Sequence, residues 1–147
     1  MINKLLSLIK KPSTSQNVSS EQTILLAAIT LLVEVAKADH NLSSEEEIKL
    51  TELVSQHFGK ADHEAAELIS LAISNSKEAT SLFEFTSVIN ENYSEEQKFQ
   101  LITSMWKIAY SDLSIDKYEE HLIRKVADLI YLPHVNYIEA KHIANNE

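Results

Sequence analysis

The 147-residue sequence contains no cysteine, one glycine and two prolines. Without cysteine there is no disulfide, no zinc–thiolate or iron–sulfur centre, and no thiol nucleophile. Ordinary usage would put glycine at about 7% and proline at about 5% of positions. Hairpin turns and phosphate-cradling loops draw on glycine, so its scarcity argues against β-sandwiches, P-loops and dinucleotide folds. Arginine is as rare as glycine. Arg124 stands alone, which leaves little for bidentate contacts to phosphates or bases. The longest apolar stretch, residues 24–33, is interrupted by Thr30 and closed by Glu34, well short of the roughly 20 residues a membrane-spanning helix needs. The N-terminal apolar run is broken by Lys4 and Ser7 and lacks a small-residue cleavage site, which argues against a secretory signal.

What is present is apolar, acidic and periodic. Hydrophobic residues make up 44% of the chain, enough for a core that hides about 70% of the surface an unfolded chain exposes. Net charge is −9. Residues 1–20 hold Lys4, Lys10 and Lys11 and no acid, so the rest carries 10 basic and 22 acidic side chains, a balance of −12. Such a body repels phosphate backbones, so no nucleic-acid partner is expected. It suits solubility, basic partners or local cation sites, and a cytoplasmic setting is expected. Within residues 1–20, Ile2, Leu5, Leu6 and Ile9 form one side of a short amphipathic segment, and 12–20 read as a polar linker. The segment either docks on its own domain or makes a weak contact with a membrane surface or partner.

From residue 21 the pattern is helical. Ser20 precedes a helix to about Ala38 whose apolar residues cover nearly its whole circumference, which places it at the centre of a bundle. Ser43 opens a second helix ending near Gly59. Residues 61–75 and 77–92 give two more, and Ser94 is a favourable N-cap for the next. Asp116 opens another, and Pro133 starts the last, to about Ala144. The expectation is an all-α bundle of seven to eight helices occupying 21–147.

A repeat is visible as well. Shifted by 73 residues, positions 24–58 lie over 97–131 without a gap. Ile29 and Thr30 fall on Ile102 and Thr103, Ala36 on Ala109, Asp39 on Asp112, and Glu46-Glu47 on Glu119-Glu120. Amphipathicity alone does not demand an aspartate followed at the same distance by a glutamate pair. Two related halves, packed about a pseudo-twofold axis, are expected.

The segment Ala38-Asp39-His40-Asn41-Leu42-Ser43-Ser44-Glu45-Glu46 resembles the Ala-Asp-Gly-x-Ile-Ser-x-x-Glu signature of the tellurite-resistance protein B (TerB) family. Ser111-Asp112-Leu113-Ser114-Ile115-Asp116-Lys117-Tyr118-Glu119 resembles its partner motif. The resemblance covers roughly residues 21–146, and more closely the chain looks like the small stand-alone TerB-like proteins of bacteria. It implies an all-α domain whose acidic cluster holds a divalent metal, with Asp39, Glu46, Asp112 and Glu119 at the matching positions. It also implies tellurite or general chemical-stress systems, some at the inner face of the membrane. Two positions depart from the pattern: the glycine after each aspartate is replaced by His40 and by Leu113. If that glycine serves a backbone with positive φ, leucine resists it more than histidine does.

Oxygen-rich loops suit hard cations such as Ca²⁺, Mg²⁺ or Mn²⁺. Asp39, Asn41 and Ser43 alternate along the first loop, as Asp112, Ser114 and Asp116 do along the second. Neither is an EF-hand, because the central glycine and closing glutamate are missing. The same acids have a plainer role open to them. Ser43-x-x-Glu46 and Asp116-x-x-Glu119 are capping-box spacings, and acids in a first turn favour the positive end of the helix dipole. His121, His134 and His142 read mainly as surface or packing residues. With no nucleophile elbow, and with Tyr118-Glu119-Glu120-His121 lacking the Glu-x-x-His spacing of di-iron bundles, the chain is expected not to be an enzyme; a metal-dependent hydrolase is the least favoured reading. Two stand ahead of it: a divalent-cation or protein-interaction module in stress response, and a metal-free adaptor whose acidic face docks a basic protein.

Overall fold

A helix that is apolar on every side must lie in the middle, and α1 (Gln16–Ala36) does. The computed structural model describes residues 16–38, 42–78, 81–111 and 117–146. In α1, Leu26 to Ile29, Leu31 to Val33 and Val35 are all completely buried. Each large aliphatic side chain removed from water in this way contributes about 1.5–3 kcal/mol. Thr30 sits among them without cost, because its hydroxyl donates to the Leu26 carbonyl at 2.6 Å. The remaining helices are α2 (Ser44–Phe58), α3 (Asp62–Glu78), α4 (Phe83–Asn92), α5 (Glu95–Tyr110), α6 (Lys117–Leu129) and α7 (His134–Asn145). No strand occurs among the described residues. The all-α expectation holds.

Local chemistry sets the boundaries. Ser43 and Ser94 each form a full capping box, with Glu46 and Gln97 reaching back to the cap's own N–H at 2.8 Å. Gly59 ends α2 at φ 66°, the left-handed turn that glycine adopts without penalty. Helix α6 ends in the same turn on Tyr131 at φ 61°. There the Tyr131 and Leu132 N–H groups donate to Asp128 and Ala127, which is the Schellman pattern. Two boundaries differ from expectation. Helix α1 begins at Gln16, so 16–20 belong to a helix and not to the linker; that stretch has no apolar period to announce it. Helix α3 continues to Glu78 and α4 starts only at Phe83. Residues 1–15, and expectations about them, lie outside the described residues.

The second central helix is α5, with Leu101, Ile102, Met105, Trp106 and Ala109 wholly buried. Thr103 repeats the Thr30 bond, donating to the Phe99 carbonyl at 2.8 Å. Helix pairing follows the 73-residue shift in part. The two most extensive pairings are α1 with α3 and α5 with α7. α1 and α5 pack on each other, and the cross-pairs α1–α6 and α5–α2 are comparable. Two features break the correspondence. α4 packs on α1 with no counterpart on α5, and α2 lies along α3, whereas α6 and α7 are tied by a Lys141–Glu120 ion pair at 3.4 Å.

Candidate functional site

The crossing of the two halves brings four helix ends together. The C-terminal ends of α1 and α5 supply Ala36, Ile108 and Ser111; the first turns of α2 and α6 supply Glu46 and Glu119. Together with the rest of α2 they line a cleft of about 200 Å³. Helix C-termini carry partial negative charge and favour cations, while N-termini favour carboxylates, so the backbone alone gives this place a mixed field. Leu50 and Leu53 of α2 join Ala36 and Ile108 as its apolar part, and Lys49, Glu52 and Lys107 add charge.

Glu46 and Glu119, equivalent under the repeat, therefore share one cleft. Their surroundings differ. Glu46 is half-buried, and its Oε1 accepts the Ser43 N–H at 2.8 Å while its own N–H donates to the Ser43 hydroxyl at 3.2 Å. The capping role is thus real in the first half. Glu119 is 4% exposed, an uncommon depth for a carboxylate. Ser111 donates its hydroxyl proton to the Ile108 carbonyl at 2.7 Å, which leaves its oxygen lone pairs as acceptors. Asp39 and Asp112 lie outside the described residues, as does Asp116.

The donors present are oxygens, the class that Ca²⁺, Mg²⁺ and Mn²⁺ take. Two carboxylates and one hydroxyl make part of such a coordination set. Among the described residues, no three His, Cys, Asp or Glu side chains group as metal ligands. The residues fit a cation only if Asp39 and Asp112 complete the set. His121 is exposed and does not line the cleft; His134 and His142 are exposed too.

Several participants were not singled out from the sequence. Lys107 occupies the repeat position of Glu34, a charge reversal that the 73-residue shift contains. His57, near the end of α2, meets the buried Ser104 hydroxyl of α5 through Nδ1 at 3.0 Å. Burial pushes its pKa below the ordinary value, and the Lys107 charge pushes the same way. Glu34 on α1 accepts the Ser76 hydroxyl of α3. Burial raises the Glu34 pKa, and Lys37, at 4.0 Å, partly offsets that.

The family model for tellurite resistance protein TerB matches residues 25–142. The chain belongs to the TerB family. The match runs from within α1 to within α7, so it spans both halves and every helix that contributes to the cleft. No curated protein and no solved structure matches the chain. Family membership agrees with the all-helical architecture. Among the described residues, no helix is long and apolar enough to cross a membrane.

Proposed function

We propose that this TerB-family chain is a non-catalytic module that holds a divalent cation of the Ca²⁺, Mg²⁺ or Mn²⁺ class and presents an acidic surface to a protein partner. Its proposed setting is a cytoplasmic tellurite or general chemical-stress response, with contact at the inner membrane face as a variant of that setting. The observation that supports the cation is the convergence of Glu46 and Glu119, from equivalent positions of two halves, on one cleft. Asp39 and Asp112, seven residues before each, would supply the remaining carboxylates. The cation would join the halves across the α2–α6 ends and so couple occupancy to the shape of that surface.

A second reading is favoured by Lys49 and Lys107, which line the same cleft and supply fixed positive charge beside the glutamates. In it the cleft is closed electrostatically by the chain's own cations, and the acidic exterior docks a basic protein without metal. Thermal unfolding of chelator-stripped protein separates the two. A cation at 100 times its dissociation constant raises stability by about 2.7 kcal/mol when it binds only the folded state, or roughly 5–10 °C in a domain of this size. The cation reading expects that shift with one of the three metals and its loss in Asp39→Asn. No shift with any metal, in a protein that unfolds cooperatively, would sink that reading and leave the adaptor.

A further inference from the structure

A second concavity lies away from the glutamate cleft, between the first described turns of α1 and the flank of α3. This groove of about 490 Å³ has half-buried Leu25, Leu68 and Leu71 at its base. Exposed Glu21, Glu64 and Glu67 stand around it with one lysine, Lys60. An acid-rimmed apolar groove suits a basic amphipathic helix, the arrangement in which an apolar helix face beds into a hydrophobic trough.

The chain carries such a helix pattern immediately before α1. Ile2, Leu5, Leu6 and Ile9 recur at the spacing of a single helical face. Lys10 borders that face, and Lys4 and Lys11 lie on the far side, so residues 1–11 carry +3 opposite a groove whose lining carries three acids and one base. The attraction is long-range and salt-screened, while the four apolar side chains supply the burial. Chain length permits the return. Residues 12–15 can span about 13 Å when extended, ample for the 2–5-residue connection of two antiparallel helices. Pro12 at the start of that stretch suits a break. Residues 2–11 as a helix rise about 13.5 Å, the same as residues 16–25 of α1. An antiparallel return therefore brings Ile2 level with Leu25. The family match begins at residue 25, so this segment lies outside the matched part of the chain.

We propose that residues 1–11 dock in cis as a short helix in the α1–α3 groove, with Ile2, Leu5 and Leu6 against Leu25, Leu68 and Leu71 and Ile9 on the same face nearer the start of α1. The docked arm hides its own apolar face and neutralises part of the acidic body. The proposal is independent of whether the glutamate cleft binds a cation.

The absence of cysteine gives a clean test, because Ser7→Cys creates a single labelling site on the side of the arm away from the groove. A nitroxide there, on the isotope-labelled full chain, is expected to broaden the amide signals of residues 21–25 and 64–71. Amides of residues 4–9 are expected to exchange about tenfold more slowly than in an unstructured chain. Both effects should vanish when Leu5→Asp and Ile9→Asp are introduced, changes confined to the arm, and should weaken in Glu64→Lys with Glu67→Lys. Three outcomes would overturn the proposal. One is an unprotected arm that broadens nothing in the groove, with or without binding to anionic vesicles. Another is broadening that survives Leu5→Asp with Ile9→Asp. The third is broadening seen only between separately labelled copies, which would mean exchange of arms between two chains.

Discussion

Glu46 and Glu119 stand at the same position of the two halves, 73 residues apart, and they serve different local structures. Glu46 caps its own helix from a half-buried position. Glu119 is buried to 4% exposure at the other side of the same cleft. The 73-residue correspondence matches the residue and its place on the helix; what surrounds it is set by neighbours that differ between the two segments. Lys107 at the position matching Glu34, and α4 packed on α1 with no counterpart on α5, are two such differences. Equivalence in sequence thus predicts location better than it predicts chemical role.

The strongest way to break the comparison is at its most symmetric point. Ile29 and Ile102 are equivalent and both wholly buried, one on each central helix. Cutting either to alanine removes the same atoms and leaves a cavity, at a cost of about 2–5 kcal/mol. If the halves share one core, both variants should unfold in a single urea transition with similar midpoints. Two separate transitions would show the halves to be independent.

The next effect separates the glutamates. Glu46→Ala removes the reciprocal capping bond at an exposed helix start and should cost about 0.5–2 kcal/mol. Glu119→Ala empties a buried site and strips polar contacts at depth, and should cost more, about 1–3 kcal/mol or above. Denaturant titration of the two variants reads the order directly. If Glu46→Ala proved the costlier, the burial of Glu119 would not be what distinguishes the pair.

A smaller contrast lies at the ends of α2 and α6. Gly59 and Tyr131 both hold left-handed turns. A Cβ built at Gly59 meets nothing within 4 Å, so Gly59→Ala should cost only the backbone penalty, about 1–2 kcal/mol. Tyr131 already bears that penalty, and its side chain is 75% exposed. Tyr131→Gly should therefore be neutral or stabilising, by up to about 1 kcal/mol. Melting temperatures that moved in the same direction for both would contradict this reading of the two turns.

How much of this could be read in advance follows from what each feature depends on. The capping boxes at Ser43 and Ser94 involve residues three apart, and the central helices announce themselves by apolar residues on every side. The 73-residue correspondence matches Glu46 with Glu119 in sequence, and both line one cleft. The N-terminal turns of α1 are not legible in this way, because residues 16–20 hold a single apolar side chain, Val18, and Asn17, Ser19 and Ser20 are weak helix formers. Nor is the His57–Ser104 bond: its partners are 47 residues apart, and neither periodicity nor repeat relates them. Nothing in the sequence sets Lys49 and Lys107 apart from other charges on helix faces; the packing of α2 and α5 places both on one cleft. The acidic motif marked half of the cleft, and only packing could supply the cations beside it.

Those distant pairings also set opposite pH dependences across the molecule. Burial raises the pKa of Glu34, with Lys37 in partial opposition. The folded chain therefore keeps that proton to higher pH than the unfolded chain does. Its stabilising effect is complete below the ordinary carboxylate range and is lost as pH rises through the folded value. His57 behaves the other way. Burial, helped by Lys107, lowers its pKa from an ordinary value of 6.5, so its contribution is complete above that value and is lost as pH falls toward the folded pKa. Glu34→Gln should keep an acceptor for Ser76 and raise the melting temperature at neutral pH more than in acid. His57→Gln should flatten the loss of stability on acidification below neutrality. In Lys107→Met the His57 titration, followed by NMR of its ring, should move upward toward the ordinary value. A His57 that titrates normally in the unaltered protein would mean that α2 does not press its end against α5, and the cleft between them would then lack the wall that brings Lys107 beside the glutamates.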